Sequence, residues 1–269
     1  MPTSPAELSV RPPPFLVMTG VAAGYGGNRV VDGVTAQVGQ GEIATIIGPN
    51  GSGKSTLLKA VTGDLPLLAG TISIGGTDVT GLRRDQLVRT GVGYVPQERE
   101  VFAPLTVREN LEMGGYLLKR SQLPEAMDRV FALFGDLARM LGTPAGRLSG
   151  GERKMLALGR ALMHDPLVVV LDEPTANLSP IASKAVLAEQ VPALAGAGKA
   201  VLLVEQRAID ALNSSDWAYV MVAGRLRAEA AAADMLSRGD IGEMFLGRSI
   251  AGPGNGRDAD TVSRGDGDH

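Results

Sequence analysis

The residues Gly48-Pro49-Asn50-Gly51-Ser52-Gly53-Lys54-Ser55-Thr56 carry the spacing G-x-x-x-x-G-K-[ST]. Glycines at these steps let successive backbone N–H groups curl around phosphate oxygens, and a helix starting near Lys54 adds the positive end of its dipole. Lys54 would then place a point charge against the β and γ phosphates of a nucleotide, and the Ser55 hydroxyl could ligate Mg²⁺. A plain glycine-rich turn shares the composition. What separates the two readings is a strand before the loop and a helix after it, and the apolar run ending at Gly48 supplies the strand. A second group of chemistry-bearing residues, Asp172-Glu173, closes the run Val168-Val169-Val170-Leu171. Asp172 suits a magnesium shell, and Glu173 suits a base that orients or deprotonates a water attacking the γ phosphate. Acids also end strands or cap helices without further purpose, but a phosphate loop elsewhere in the chain weakens that alternative. A third group, Leu148-Ser149-Gly150-Gly151-Glu152, reads by itself as a helix-capping box, with Ser149 and Glu152 three residues apart.

These groups need a parallel sheet to bring them together. Glu42 to Gly48, Leu167 to Glu173 and Ala200 to Glu205 are near-continuous apolar runs of strand length, as required when helices cover both faces, so they are expected at the sheet's centre. Both chemical motifs stand at the C-terminal ends of such strands, the edge where open parallel sheets bind ligands. Phe15 to Val21, Val30 to Val38 and Thr71 to Ile74 are shorter, partly alternating and separated by glycine turns, which predicts a smaller antiparallel sheet. Helical signals dominate from Leu105 to Met163, with Thr106 and Glu109 spaced as another capping box. The expectation is an α/β chain with a parallel-sheet core, an antiparallel β subdomain and an inserted helical subdomain. No internal repeat marks a second copy of the unit.

A chain of 269 residues can bury a large core without disulfides, and it has no cysteine. The formal charge of -3 gives no reason to expect nucleic acid. No apolar run approaches the roughly 20 residues that cross a bilayer, so any membrane role is expected to be peripheral. Residues 1–14 read as an extended lead with three consecutive prolines, and the Gly/Asp-rich stretch 250–269 reads as a disordered tail. Trp217 reads as a core residue.

Taken together and in this order, the three groups resemble the motifs of ATP-binding cassette (ABC) ATPases, over roughly Phe15 to Gly247. The resemblance implies a RecA-like P-loop NTPase core over 15–249, with the helical subdomain at about 98–163. It also implies ATP and Mg²⁺ as ligands. Ser149, Gly150, Gly151 and Glu152 resemble the family signature, a helix tip that reaches the γ phosphate held by the phosphate loop of a second ATPase subunit, so each monomer would hold half of two sites. Tyr25, in Gly24-Tyr25-Gly26-Gly27, looks like the aromatic residue that stacks on adenine; a strand-end aromatic packed in the core is the other reading. Gln97, in Tyr94-Val95-Pro96-Gln97, resembles the glutamine that touches Mg²⁺ and links the core to the helical subdomain; a polar surface loop is its alternative. The helical surface beyond it is where relatives grip a membrane permease. That would place the chain on the cytoplasmic side of the membrane.

Two positions depart from the usual pattern. Gln206 follows the strand ending at Glu205, where the family usually has a γ-phosphate-contacting histidine, and Ser179 stands where an aspartate is usual. With Val204-Glu205-Gln206 and the run from Val101 to Leu111, these departures resemble the branch that powers uptake of branched-chain amino acids, with relatives serving urea or short amides. Such a complex has two different ATPases, two membrane proteins and a solute-binding protein; the chain resembles the smaller ATPase. An export or lipid-handling ATPase and a soluble ATPase working on DNA or ribosomes are the alternatives, the latter lacking here its usual coiled-coil insertion or tandem copy.

Overall fold

The computed structural model describes residues 11–98 and 100–237. The first ten residues of the expected lead, the expected tail at 250–269 and the stretch 238–249 lie outside the described residues.

Two long antiparallel strands come first, β1 (Pro14–Tyr25) and β2 (Asn28–Gly39). The chain continues through β3 (Ile43–Ile47), α1 (Lys54–Val61), β4 (Leu67–Ile74), β5 (Thr77–Asp78), α2 (Arg84–Arg89) and β6 (Val92–Val95). Four α-helices follow with no named strand between them: α3 (Val107–Gly114), α4 (Leu123–Leu133), α5 (Asp136–Arg139) and α6 (Gly150–Leu162). After β7 (Val168–Asp172), α7 (Pro180–Ala185) passes through a π-helical turn at Val186–Gln190 into α8 (Val191–Gly196). The described chain ends with β8 (Ala200–Glu205), α9 (Ala208–Leu212), β9 (Trp217–Val222), β10 (Arg225–Ala231) and α10 (Ala232–Ser237).

The strands form two sheets, in the orders β2-β1-β4-β5 and β10-β9-β3-β8-β7-β6. The smaller is antiparallel throughout, and in the larger only β10 runs against its neighbour. Side-chain alternation explains why β3, β7 and β8 read as unbroken apolar runs. Ile43, Ile47, Val169, Leu171, Val201 and Leu203 enter one buried cluster with α3, α4 and α6. Ala44, Ile46, Val168, Val170, Leu202 and Val204 enter a second, which they share with α1 and the antiparallel sheet. Both faces are therefore covered, and every residue of these three strands is buried. Truncating one such side chain, as in Leu202→Ala, costs about 2–5 kcal/mol through lost burial and the cavity left behind.

The antiparallel strands run longer than their alternation suggests. In β1, Gly20 adopts φ 59 where the pairing with β4 shifts register, so the strand bulges and continues to Tyr25 instead of stopping. Sequence patterning did not anticipate β6, β9 or β10 as strands. Trp217 packs against the second apolar cluster as a half-buried residue, and the Arg11 guanidinium lies 4.3 Å from its ring centroid.

Candidate nucleotide-binding site

The loop Gly48 to Gly53 leaves the C-terminal end of β3 and runs into α1. The β9–β10 hairpin fixes it from behind. The Gly224 amide donates to the Ser52 carbonyl at 2.8 Å. A Cβ on Gly48 would lie 2.1 Å from the Met221 carbonyl oxygen, so only glycine fits at the start of the loop. Gly53 caps α1 at φ 102 and offers no side chain to the first turn. Lys54 is 4% exposed and donates through Nζ to the carbonyls of Gly48 (2.8 Å) and Pro49 (3.0 Å). Burial pushes its pKa down, against the pull of Glu173, Asp172 and Glu205. The loop thus joins a desolvated ammonium to a glycine-lined turn and a helix N-terminus, the chemistry of a polyphosphate cradle. Pro49 and Ser55 are half-buried, Asn50 and Gly51 are exposed, and Ser52 and Thr56 are buried. The Ser52 hydroxyl has no partner among the described residues.

Asp172 ends β7 and Glu173 follows it, two strands away from the loop with β8 between. Asp172 is 5% exposed, and its Oδ1 has no hydrogen-bond partner among the described residues. Desolvation raises its pKa, and the neighbouring charge of Glu173 adds to the rise. Glu173 sits at φ 44, a left-handed value that costs a residue with a Cβ about 1–2 kcal/mol. Its amide, donating to the Val204 carbonyl at 2.9 Å, helps hold it there. Strain of this kind persists where the surroundings over-determine it, which is common where a side chain must be aimed.

Three strand ends converge on Glu173. Gln97, just beyond β6, donates from Nε2 to Glu173 Oε2 at 2.9 Å. Gln206, just beyond β8, donates from Nε2 to Oε1 at 2.8 Å and to Oε2 at 2.7 Å. The carboxylate is thereby oriented by two amides from opposite sides of β7.

Glu205 belongs to the same constellation, although the sequence marked it only as part of the run Val204-Glu205-Gln206 and gave it no role of its own. It is 2% exposed and accepts from the Thr175 amide (2.9 Å), the Thr175 hydroxyl (2.7 Å) and the Gln206 amide (3.2 Å). Desolvation pushes its pKa up against these bonds. Glu205 ties the turn after Glu173 to the segment carrying Gln206. An open cavity of about 400 Å³ lies over this network, walled by Gln97, Glu173, Asn177 and Gln206 among others.

Two expected site elements stand apart. Tyr25 is 48% exposed at the end of β1, which excludes a core-packed ring; Lys59 Nζ lies 6.0 Å from its centroid. Ser149 is exposed at the start of α6, where its hydroxyl accepts from the Glu152 amide while the Glu152 carboxylate accepts from the Ser149 amide. The tip abuts the turn after Glu173: a Cβ on Gly150 would lie 2.8 Å from Leu178, and one on Gly151 3.6 Å from Ala182. Among the described residues no hydrogen bond joins this tip to the phosphate loop.

A glycine-lined anion loop at one strand end, paired acids at another and helices over both sheet faces define an α/β nucleotide-binding protein of the P-loop class. The family model described as "ABC transporter" matches residues 31–176. The high-affinity branched-chain amino acid transport ATP-binding protein BraG of Pseudomonas aeruginosa is 39% identical, covering 84% of this chain and 97% of its own. The probable branched-chain amino acid transport ATP-binding protein LivF of Archaeoglobus fulgidus is 36% identical over 84% of this chain and 95% of its own. A crystal structure of the ADP conformation of an ATP-binding cassette of an ABC transporter superimposes with a TM-score of 0.78 at 29% identity, over 87% of this chain and 99% of the other. The chain belongs to the ABC transporter family. It is the ATP-binding and ATP-hydrolysing subunit of a transporter whose membrane-spanning part resides in permease partners. None of its described helices is long and apolar enough to cross a membrane.

Proposed function

We propose that this subunit powers import of branched-chain amino acids, hydrolysing Mg²⁺-ATP between two ATPase subunits at the cytoplasmic face of the membrane. The Glu173 carboxylate, gripped by Gln97 and Gln206, is the observation that carries the catalytic part. The names of the BraG and LivF relatives support the solute class.

The residues fit Mg²⁺. Among the described residues no three His, Cys, Asp or Glu side chains form a metal cluster. The available donors are the sparse hard oxygens that suit a cation arriving on nucleotide phosphates. Ser55 and Asp172 would hold it, Asp172 through the unpartnered Oδ1. Gln97 gives its Nε2 to Glu173, which leaves its carbonyl oxygen for the cation. When bound, the cation neutralises charge developing on the phosphates.

The chain's own groups do the rest. Backbone amides of Gly51 to Ser55 and the Lys54 ammonium hold the β and γ phosphates, and Tyr25 stacks on the adenine. Glu173 orients the attacking water and takes its proton as the water oxygen bonds to phosphorus and ADP leaves. Gln206 keeps the carboxylate aimed and offers a neutral donor near the γ phosphate. The tip Ser149 to Glu152, exposed at its serine, closes on the nucleotide of a second subunit, which is the same chain or a close relative. A solute-binding protein delivers the cargo to the permease.

The test is uptake of labelled leucine by membrane vesicles containing the assembled transporter. ATP-driven uptake is expected with the native chain and not with Glu173→Gln. Recovery of the chain with ribosomes or DNA instead of permease, or leucine uptake indifferent to Glu173→Gln, would contradict the reading.

A further inference from the structure

A groove of about 590 Å³ runs between the α7–α8 helix and α9. Pro180, Leu187 and Pro192 give it an apolar wall, and Arg207 and Asp210 face them from α9. Ser183, also on the wall, is 2% exposed, and its hydroxyl has no partner among the described residues. Ile209, the residue before Asp210, is 63% exposed. An exposed isoleucine alone is ordinary, but beside an apolar groove with an unpartnered buried hydroxyl it points to a peptide cover, which brings apolar side chains and backbone donors together. The described chain ends at α10, whose Ala232 and Met235 share a buried cluster with Ala208, Ala211 and Leu212 of α9. Packed helices lie about 8–10 Å apart and four extended residues span up to about 13–14 Å, so Ile241 can reach α9 from Ser237. Ile241, Met244, Phe245 and Leu246 form the densest group of large apolar residues in 238–269. The first three have the i, i+3, i+4 spacing of a single apolar face. Asp240 and Glu243, interleaved with them, are opposite in charge to Lys184 on the groove's wall.

We propose that residues 241–246 are the occupant: the chain turns back after α10, covers Ile209 and sets Phe245 into the groove of its own subunit. Burial of Phe245 against Leu187 and the two prolines supplies the driving force, since a large apolar side chain gains most by leaving water. A backbone amide of the returning segment gives the Ser183 hydroxyl its partner, and Glu243 meets Lys184. The helix α9 is then held on both flanks, by α10 on one and by the returning chain on the other.

The experiment is a double-mutant cycle on the full chain, read by thermal melting. Ile209 lies outside both buried clusters, so its truncation leaves the core intact. Phe245→Ala and Ile209→Ala are each expected to lower Tm by about 2–8 °C, the scale of one partly buried large side chain. The double variant is expected to fall by less than the sum, because both substitutions remove the same contact. An unchanged Tm in Phe245→Ala, or strictly additive shifts, would overturn the proposal. The absence of native cysteine allows a second reading of the same pair. Ile209→Cys combined with Phe245→Cys, oxidised in dilute solution, should close a disulfide within one chain. A disulfide between two chains would give the groove to the segment of a second copy, and no disulfide would leave it to a separate partner; either result overturns the assignment to the chain's own segment.

Discussion

The Gln206 side-chain amide donates to both oxygens of the Glu173 carboxylate, at 2.8 and 2.7 Å, while Gln97 donates to Oε2 from the other side. An amide gains and loses no proton in the physiological range, so the aim of Glu173 does not depend on a titrating neighbour at position 206. Glu205 beneath it accepts the Gln206 backbone amide and both Thr175 donors, which sets where that amide begins.

Gln206→Ala removes a hydrogen bond to a charged group. Turnover is expected to fall about ten- to hundred-fold, with nucleotide affinity nearly unchanged. Gln206→His restores a donor but introduces an ionisation near about pH 6.5 into the kcat profile. A flat comparison between the native and histidine profiles would remove the assigned role.

Asp172 gives a stability signature with a definite sign. Burial first, and the Glu173 charge second, raise its folded-state pKa above the ordinary aspartate value. Below that ordinary value both states are protonated and nothing is lost; as pH climbs through it toward the folded pKa, ionisation penalises the folded state. Asp172→Asn removes the penalty. The variant is expected to melt above the native chain at about pH 7.5, with the gap closing toward about pH 4, and to lose ATPase activity. Thermal melts across that range check the sign.

Two glycines of one loop separate two causes of strain. A Cβ at Gly51 meets nothing within 4 Å, but φ is 76, so Gly51→Ala pays only the left-handed penalty of about 1–2 kcal/mol. Gly48→Ala drives a Cβ to 2.1 Å from the Met221 carbonyl and must push the loop off β9. Urea unfolding should rank Gly48→Ala as the more destabilised, and nucleotide binding should fail there first.

The contiguous motifs, Gly48 to Thr56 and Asp172-Glu173, could be read because their geometry is local: a turn and a strand end dictate it. The central strands were legible for the same reason, each apolar run reporting burial on both faces. What pairs across the chain was not. Thr175 and Glu205 are 30 residues apart and meet only because β7 and β8 are neighbours. The β9–β10 hairpin turns on Ala223 at φ 49 and Gly224 at φ 79, and alanine is not a residue that advertises a left-handed turn. Trp217 reads as core by type and does pack against the second apolar cluster, but the Arg11 guanidinium over its ring at the start of β9 could not be read from the sequence.

Solving Glu173→Gln with Mg²⁺-ATP tests the central claim most directly. The expected result, in the assembled transporter, is a pair of ATPase subunits with nucleotide held at Gly48 to Thr56 of this chain, and with the Ser149 hydroxyl of this chain within hydrogen-bond distance of the γ phosphate held by the second subunit. Nucleotide bound in that loop with the Ser149 tip still facing solvent, at saturating ATP, would contradict it.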